Sequence, residues 1–382
     1  MFTPARRRLT ALRLTAQHIA HRDGSTPTEV VRGMLALQAQ DLPGVKWSVG
    51  LRHRASSEAA VDAAFRDAEI VRSWPLRGTL HLVAAEDVGW LRELTAPRVL
   101  GSAASRRAYL GIAEADAERA RGIAVDALAG GRVLTRDALL GAIEAGGVGT
   151  SGQRGYHLLW YLAQTGTLVL GAPAGRHQTF ALLDEWVRAP RRLERDEALS
   201  ELALRYFRSH GPATVRDLAR WSALTMGDVR RGLAICGSQL ATVELDGVTY
   251  HLAPETLQEH PPAAGMHLLP GFDEYLLGYA DRSAALAPAH AEAVVPGGNG
   301  MFKPTIVVDG EVVGTWRRTL TAREVVIKPQ LFDSPSGPLR ERLEEGLDTA
   351  VDAYGGFLGR KATLRLPGAR GMREPGPDRA SA

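Results

Sequence analysis

The sequence feature that most constrains the fold is an arrangement that recurs three times along the chain: short helices, then two β-rich runs joined by a turn. In the clearest copy, helical spacing over 196–212 precedes Thr214 and Thr225, each an N-cap candidate before a further short helix. Asp246-Gly247 then separates two alternating runs and is the dipeptide most typical of a two-residue β-hairpin. Helix-turn-helix followed by a hairpin is the pattern of a winged-helix module.

The other two copies are less regular but have the same order of elements. In the first copy we predict helices at 9–20, 27–38 and 58–67 and a hairpin over 68–83 that turns at 75–78. In the second copy we predict a helix capped by Thr135, a helix over 154–166 and a hairpin over 167–183.

From about residue 260 the chain changes to short β-rich runs separated by Gly, Pro and Asp, with a hairpin turn at Asp309-Gly310 and one helix closed by glycine over 339–359. We therefore predict an α+β fold with three tandem winged-helix modules and a C-terminal β-barrel-like domain. The predicted domains are modules at 1–115, 116–192 and 193–257, the barrel with its helix at 258–367, and a loose tail at 368–382.

Composition narrows the class of protein. The chain of 382 residues is 45% hydrophobic and 23% charged, values typical of a globular protein, and no run approaches the roughly 18 apolar residues of a membrane span. A single cysteine, Cys236, excludes an internal disulfide and favours a buried thiol in a reducing cytoplasm. Only four of the 46 basic residues are lysine; arginine suits phosphate, but a GC-rich genome explains the excess equally well.

Several motifs that suggest other chemistries lack the context they require. The GxGxxG match at 147–152 follows a predicted helix, whereas a dinucleotide site needs a strand there. His18 and His21 share a helical face, but no HExxH motif or partnered carboxylate accompanies them, and we expect no metal and no cofactor. The aromatic residues Tyr156, Trp160 and Tyr161 have the spacing of a buried helical face.

Two uncharged amides, Gln38 and Gln40, lie where the predicted second helix stops, just before Pro43-Gly44. Side chains at i and i+2 of a regular helix point roughly 200° apart and do not converge. Pro43 disfavours helix in the residue before it, and Gly44 permits a sharp exit, so an irregular end could bring both amides to one cleft. The alternative is a buried helix end whose amides cap backbone groups.

Four segments of the sequence, at 37–52, 72–87, 268–286 and 298–318, resemble the winged-helix DNA glycosylases typified by AlkZ. The resemblance extends over about residues 8–365 and implies the same three winged helices and C-terminal barrel. The catalytic motif of that family is two glutamines around an apolar residue, which fall here on Gln38, Ala39 and Gln40. A related branch has Asp at the second polar position, so Gln40 implies the type that removes bulky alkylated bases and unhooks crosslinks, often as self-resistance to a genotoxic natural product.

The implied chemistry explains why amides suffice. A purine alkylated at N7 or N3 already carries positive charge and leaves as a neutral base without protonation by an acid. Two glutamine carbonyls can hold the attacking water and stabilise the oxocarbenium-like sugar. Asp41 is adjacent and could be the base instead, but the family motif does not include it.

Further residues are candidates for the cleft or for DNA binding because they are basic or polar and lie near predicted turns and helix faces. They are Arg77, Thr79 and His81 in the first hairpin, Arg216, Arg220, Arg230 and Arg231 in the third module, and Arg317, Arg318 and Arg323 in the barrel.

The expected partner is double-stranded DNA carrying alkylated purines, bound by a monomer in the cytoplasm at the nucleoid, with no membrane involved. The rival interpretation is a winged-helix transcription regulator, although the sequence has no leucine-rich heptad seam for a dimer. A third is a lesion-binding protein without catalytic activity.

Overall fold

The computed structural model describes residues 3–22, 24–258 and 265–366 and has the predicted α+β class. Its helices are α1 Pro4–Ala16, α2 Pro27–Met34, α3 Leu42–Arg52, α4 Glu58–Arg66, α5 Val88–Ser102, α6 Ala104–Tyr109, α7 Glu114–Leu128, α8 Arg136–Ala145, α9 Arg154–Gln164, α10 Leu183–Trp186, α11 Arg195–His210, α12 Val215–Ser222, α13 Met226–Cys236, α14 Pro254–Gln258, α15 Glu274–Leu277, α16 Ala291–Val294 and α17 Gly337–Leu358. Among the described residues, no helix has the length and apolar character needed to cross a membrane.

The strands form one six-stranded sheet, one five-stranded sheet and one two-stranded hairpin. They are β1 Leu37–Gln38, β2 Ile70–Leu76, β3 Thr79–Ala84, β4 Leu134–Thr135, β5 Leu168–Leu170, β6 Thr179–Leu182, β7 Ala241–Leu245, β8 Val248–Leu252, β9 Met266–Leu269, β10 Thr305–Val308, β11 Glu311–Leu320, β12 Glu324–Leu331 and β13 Lys361–Leu364.

The predicted hairpin of the first copy is confirmed as β2 and β3, joined by Arg77-Gly78 with φ of 51° and 67°. Two successive positive φ values are the signature of a type I′ turn. The order β1-β3-β2-β5-β6-β4 joins this hairpin to the strands of the second copy, so the first two copies share one sheet. The boundary predicted at 115/116 lies within α7, and the division into three modules stays a prediction.

The third copy follows its sequence signals closely. Thr214 and Thr225 accept the amide hydrogens of Asp217 and Asp228 and begin α12 and α13, as predicted. The hairpin β7–β8 turns at Asp246-Gly247 with φ of 50° and 73°.

The C-terminal region is a curled, open sheet in the order β13-β12-β11-β10-β9, so it is a half-barrel with two edge strands. Besides the predicted helix, here α17, it contains the short helices α15 and α16, which we did not predict. Trp47 of α3 packs on Tyr354 of α17 at a ring-centroid distance of 4.9 Å, and Trp316 of β11 also packs on Tyr354 at 5.4 Å. This shared core fixes α3, and the residues that precede it, against the half-barrel.

The predicted helix over 27–38 is wrong in its last turn. Helix α2 ends at Met34, and Leu35 adopts φ of 67°, a conformation that a helix excludes. Pro43-Gly44 does not end a helix but lies in the first turn of α3. Main-chain amides in the first turn have no acceptor within the helix, so a proline there costs no hydrogen bond. Helix α1 also begins five residues before the predicted start at residue 9 and ends four before the predicted end at residue 20. The predicted tail at 368–382 lies outside the described residues.

Candidate functional site

The two glutamines lie on a short strand between α2 and α3. Leu37 pairs with Leu82 and Gln38 pairs with His81, and the amide of Ala39 donates to the Leu80 carbonyl at 2.8 Å. In extended backbone, successive side chains alternate, so residues at i and i+2 share a side. The structure thus brings the amides of Gln38 and Gln40 together by a strand, where we had expected an irregular helix end.

The two amides contact each other directly. Nε2 of Gln38 donates to Oε1 of Gln40 at 2.5 Å. Gln38 is only 8% exposed, whereas Gln40 is exposed. The pair therefore has one buried, anchored member and one member available to a molecule outside the protein.

Arg77 fixes which way both amides point. Its Nη2 donates to Oε1 of Gln38 at 2.9 Å. A guanidinium can only donate, so the Gln38 atom facing it must be the oxygen and the Gln38 NH2 must face Gln40. The Gln40 atom in that contact must in turn be an oxygen. One positive charge thus orders the pair into a chain of aligned dipoles from the protein interior to the surface.

His81 also contacts Arg77 and is fully buried. Its Nδ1 lies 2.8 Å from the Thr79 carbonyl, which can only accept, so Nδ1 carries the proton and Nε2 accepts from Arg77 at 3.2 Å. Burial, assisted by the charge of Arg77, lowers the pKa of His81 to about 3. The ring is therefore neutral near pH 7 and cannot contact phosphate from its buried position.

Arg77 is itself half-buried, and its hydrogen bonds go to other groups of the protein. Its Nη1 donates to the main-chain carbonyl of Trp221 near the end of α12, and this bond connects the first hairpin to the third copy. Burial lowers the pKa of Arg77. Thr79 is half-buried, and its hydroxyl donates to the Leu76 carbonyl at 3.4 Å within the same turn.

Asp41, the alternative base, is the next residue after Gln40 and alternates to the other side of the segment. Its carboxylate packs over Gly44, where an added Cβ would lie 2.6 Å from Oδ2. On that side Arg72 donates to the Ala39 carbonyl at 2.8 Å, and its pKa falls to about 10 because burial outweighs the charge of Asp41. Among the described residues, Asp41 forms no hydrogen bond with either glutamine amide.

Two further arginines lie near Arg77 without a carboxylate partner. Arg220 donates to the Ala280 carbonyl at 3.2 Å, and Arg282 donates to the Leu276 carbonyl at 2.8 Å. Within the described ranges neither forms a salt bridge, and burial together with the charges of Arg220 and Arg77 lowers the pKa of Arg282 to about 10. Arg282 is not among the candidates from sequence, although it is the only arginine in the segment 268–286.

The remaining predicted DNA-binding residues are dispersed. Arg231 forms a salt bridge with Asp196 at 2.6 Å, and Arg318 donates to the hydroxyl of Tyr354. The others are exposed: Arg216 borders a cleft of about 700 Å³ beside α1 and the β7–β8 hairpin, Arg230 lies on α13, and Arg317 and Arg323 lie near the turn between β11 and β12.

A cavity of about 340 Å³ adjoins the Arg77-Gly78 turn. Tyr156, which we expected in the core, is 46% exposed at its edge, while Trp160 is buried and donates to the Gly78 carbonyl at 3.1 Å. Within the described residues, no group of three or more His, Cys, Asp or Glu side chains could hold a metal ion. The GxGxxG match at 147–152 is the loop between α8 and α9, as its context indicated.

Comparison with known proteins assigns this arrangement to a family. The sequence is 29% identical over 342 residues to the interstrand DNA cross-link repair glycosylase of Streptomyces sahachiroi, covering 85% of this chain and 90% of the relative. The structure matches the solved structure of Streptomyces sahachiroi DNA glycosylase AlkZ with a TM-score of 0.78 at 27% identity, covering 94% of this chain and 98% of that one. The model of the family described as DNA glycosylase AlkZ-like matches residues 31–357, and the chain belongs to this family of DNA glycosylases.

Proposed function

We propose that this DNA glycosylase hydrolyses the N-glycosidic bond of bulky N7- or N3-alkylated purines in duplex DNA, including crosslinked lesions. The observation that carries the proposal is the hydrogen-bonded pair Gln38–Gln40, with Gln40 exposed and Gln38 held by Arg77. An amide can neither protonate a base nor deprotonate water to any useful extent near pH 7. Such a pair suits a leaving group that needs no acid, which is the property of a cationic alkylpurine.

The roles of the two amides follow from their hydrogen bonds. Gln38 Oε1 has a second lone pair besides the one directed at Arg77, and Gln40 likewise accepts only one bond from Gln38. These free lone pairs can hold a water beside the anomeric carbon and direct negative dipole ends at the sugar cation. Because Gln40 lies at the surface, the pair can reach a lesion whose alkyl group does not fit an enclosed pocket.

We propose that exposed arginines and arginines without a carboxylate partner contact the DNA backbone. Arg220 and Arg282 lie near the glutamine pair through Arg77 and suit a phosphate next to the damaged nucleotide. Arg317 on β11 and Arg323 in the β11–β12 turn suit a groove farther along the duplex. We propose that the protein acts as a monomer at the nucleoid and serves self-resistance to an alkylating natural product.

The test is base release from duplexes that contain single defined N7-alkylguanines, followed by alkaline cleavage at the abasic sites. Gln38→Ala and Gln40→Ala should each lower the single-turnover rate by about a hundredfold or more, the loss seen when a preorganised transition-state dipole is removed. Affinity for the same duplexes should stay within a few fold. The exposed Gln239 supplies a matched control, and Gln239→Ala should leave both quantities unchanged.

The rival functions predict different outcomes. A transcription regulator would prefer particular genomic sequences over damaged DNA and release no base. A lesion-binding protein without catalysis would bind the adducted duplex and leave no alkali-sensitive site. Weakened binding in the glutamine variants, with unchanged excision at saturating protein, would remove the pair from the chemistry.

A further inference from the structure

Behind the glutamine pair lies Glu274, a carboxylate that is completely buried at the start of α15. Its Oε1 accepts the main-chain amide hydrogen of Gln38 at 2.8 Å. Its Oε2 accepts the indole N–H of Trp221 at 2.9 Å and lies 3.6 Å from Nε2 of His210. Glu274 therefore contacts the backbone of the first glutamine and the residue whose carbonyl holds Arg77.

The preceding residue, Asp273, is also a buried carboxylate, but it has a direct cationic partner. Asp273 is paired with Arg52, with one oxygen at 2.9 Å and the other at 3.0 Å from the guanidinium, so its charge is neutralised in place. In the described part of the chain, Glu274 has no Arg or Lys within salt-bridge distance. A buried carboxylate without such a partner is costly and calls for a compensating charge nearby.

That compensating charge includes Arg77. The pKa of Glu274 is lowered, because His210 and the positive charge of Arg77 together outweigh the opposing effect of burial. Glu274 is therefore ionised near pH 7. In the same way, burial lowers the pKa of Arg77 while the charge of Glu274 partly offsets that effect. The two charges influence each other without a direct contact among the described residues.

The interaction matters because Arg77 is a cation 2.9 Å from the side-chain oxygen of Gln38. On the proposed function, a second positive charge develops on the sugar beside this amide in the transition state. An uncompensated guanidinium at that place would oppose the reaction that its hydrogen bond helps to organise. We propose that Glu274 is a positioning residue that anchors the backbone of Gln38 and offsets the charge of Arg77.

The experiment compares two variants that each disturb the Trp221–Glu274 hydrogen bond. Glu274→Gln removes the charge at almost constant shape, whereas Trp221→Phe removes the donor and keeps the charge. We expect Glu274→Gln to slow single-turnover base release from an N7-alkylguanine duplex by at least about tenfold with little change in affinity for that duplex. Trp221→Phe keeps the carboxylate charge and the main-chain carbonyl that accepts from Arg77, so it should slow release less than Glu274→Gln does. Equal losses in the two variants, or none in Glu274→Gln, would overturn the inference.

If Glu274→Gln does not fold, a second comparison of variants tests the same inference. The double variant Arg77→Gln, Glu274→Gln carries neither charge and is compared with Arg77→Gln alone. If Glu274 acts by offsetting Arg77, the double variant is no slower than the single one; a further tenfold loss, as for independent sites, contradicts this. The parent protein is assayed alongside. If the parent releases no base, the proposed function fails, whereas normal release by both parent and Glu274→Gln rejects only the role of Glu274.

Discussion

At the scale of single residues, the site depends on keeping one imidazole neutral. His81 accepts a hydrogen bond from Arg77 only while its Nε2 is unprotonated, and burial with that same charge lowers the pKa of the ring to about 3. Protonation would turn the acceptor into a donor facing a donor. The order of the amide pair therefore persists through the pH range in which a surface histidine titrates.

This neutral histidine should make the fold sensitive to acid. Between about pH 6.5 and pH 3 the unfolded chain binds a proton at His81 that the folded chain does not bind, so the free energy of unfolding falls as the pH falls. The slope from one such group approaches about 1.4 kcal/mol per pH unit. In His81→Gln, whose side-chain oxygen can still accept from Arg77, we expect the stability lost between pH 7 and pH 5 in denaturant titrations to shrink by roughly 2 kcal/mol.

The control for this prediction is the exposed His177. His177→Gln removes an imidazole without touching the buried network and should reproduce the pH dependence of the parent protein. An unchanged pH dependence in His81→Gln would mean that His81 is not held neutral by the fold.

At the scale of elements, local signals predicted the hairpins and capped helices, but long-range pairing decided the strand that carries the glutamines. Thr214, Thr225 and Asp246-Gly247 act on their immediate neighbours, and each lies where the sequence indicated. The segment 34–40 consists of Met, Leu, Ala and Gln, all residues with good helix propensity. Within it, Leu37 and Gln38 form a strand because they pair with β3, more than 40 residues away, and local propensity cannot reveal such a pairing.

The hairpin that carries Arg77 should be sensitive to a side chain at Gly78. An added Cβ would combine a positive φ with close approaches of 2.9 Å to Val99 and 3.3 Å to Trp160. Gly247 offers a matched comparison, because it occupies the same turn position in β7–β8 with φ of 73° and no atom within 4 Å of an added Cβ. We expect Gly247→Ala to destabilise by about 1 kcal/mol and Gly78→Ala by more, in thermal unfolding.

The two glycine variants also differ in what they do to the site. Gly78→Ala should slow base release, since the turn sets the direction of Arg77, and Gly247→Ala should leave the rate unchanged. Equal stability losses and equal rates in the two variants would show that the packing of the first turn against Val99 and Trp160 has no role beyond its φ.

At the scale of the whole molecule, the site is assembled from three regions distant in sequence. Gln38 and His81 come from the first copy of the recurring unit, Trp221 from the third, and Glu274 from the C-terminal region. The sequence indicated Gln38, Gln40, Arg77 and His81 one by one. It could not indicate Glu274 or Arg282 as their neighbours, because their proximity depends on how the third copy and the half-barrel pack against the first hairpin.

The same assembly predicts which arginines bind DNA. Arg220 and Arg282 lie near Arg77 with main-chain carbonyls as partners and no carboxylate in salt-bridge contact among the described residues, so their charges remain available to a phosphate. Arg231, on the neighbouring helix α13, is neutralised by Asp196 at 2.6 Å. Each arginine that contacts a phosphate contributes about 0.9 to the slope of log Kd against log salt concentration.

We therefore expect the double variant Arg220→Ala, Arg282→Ala to reduce that slope by roughly 2, measured by fluorescence anisotropy with an undamaged duplex between about 50 and 200 mM salt. Arg231→Ala should leave the slope close to the parent value, because the carboxylate of Asp196 beside Arg231 repels a phosphate at that place. The reverse order, a reduced slope in Arg231→Ala and none in the double variant, would place the duplex against the outer surface of α13 and away from the glutamine pair. On the proposed function, a duplex bound there would leave Arg220 and Arg282, the arginines near Arg77, without a phosphate.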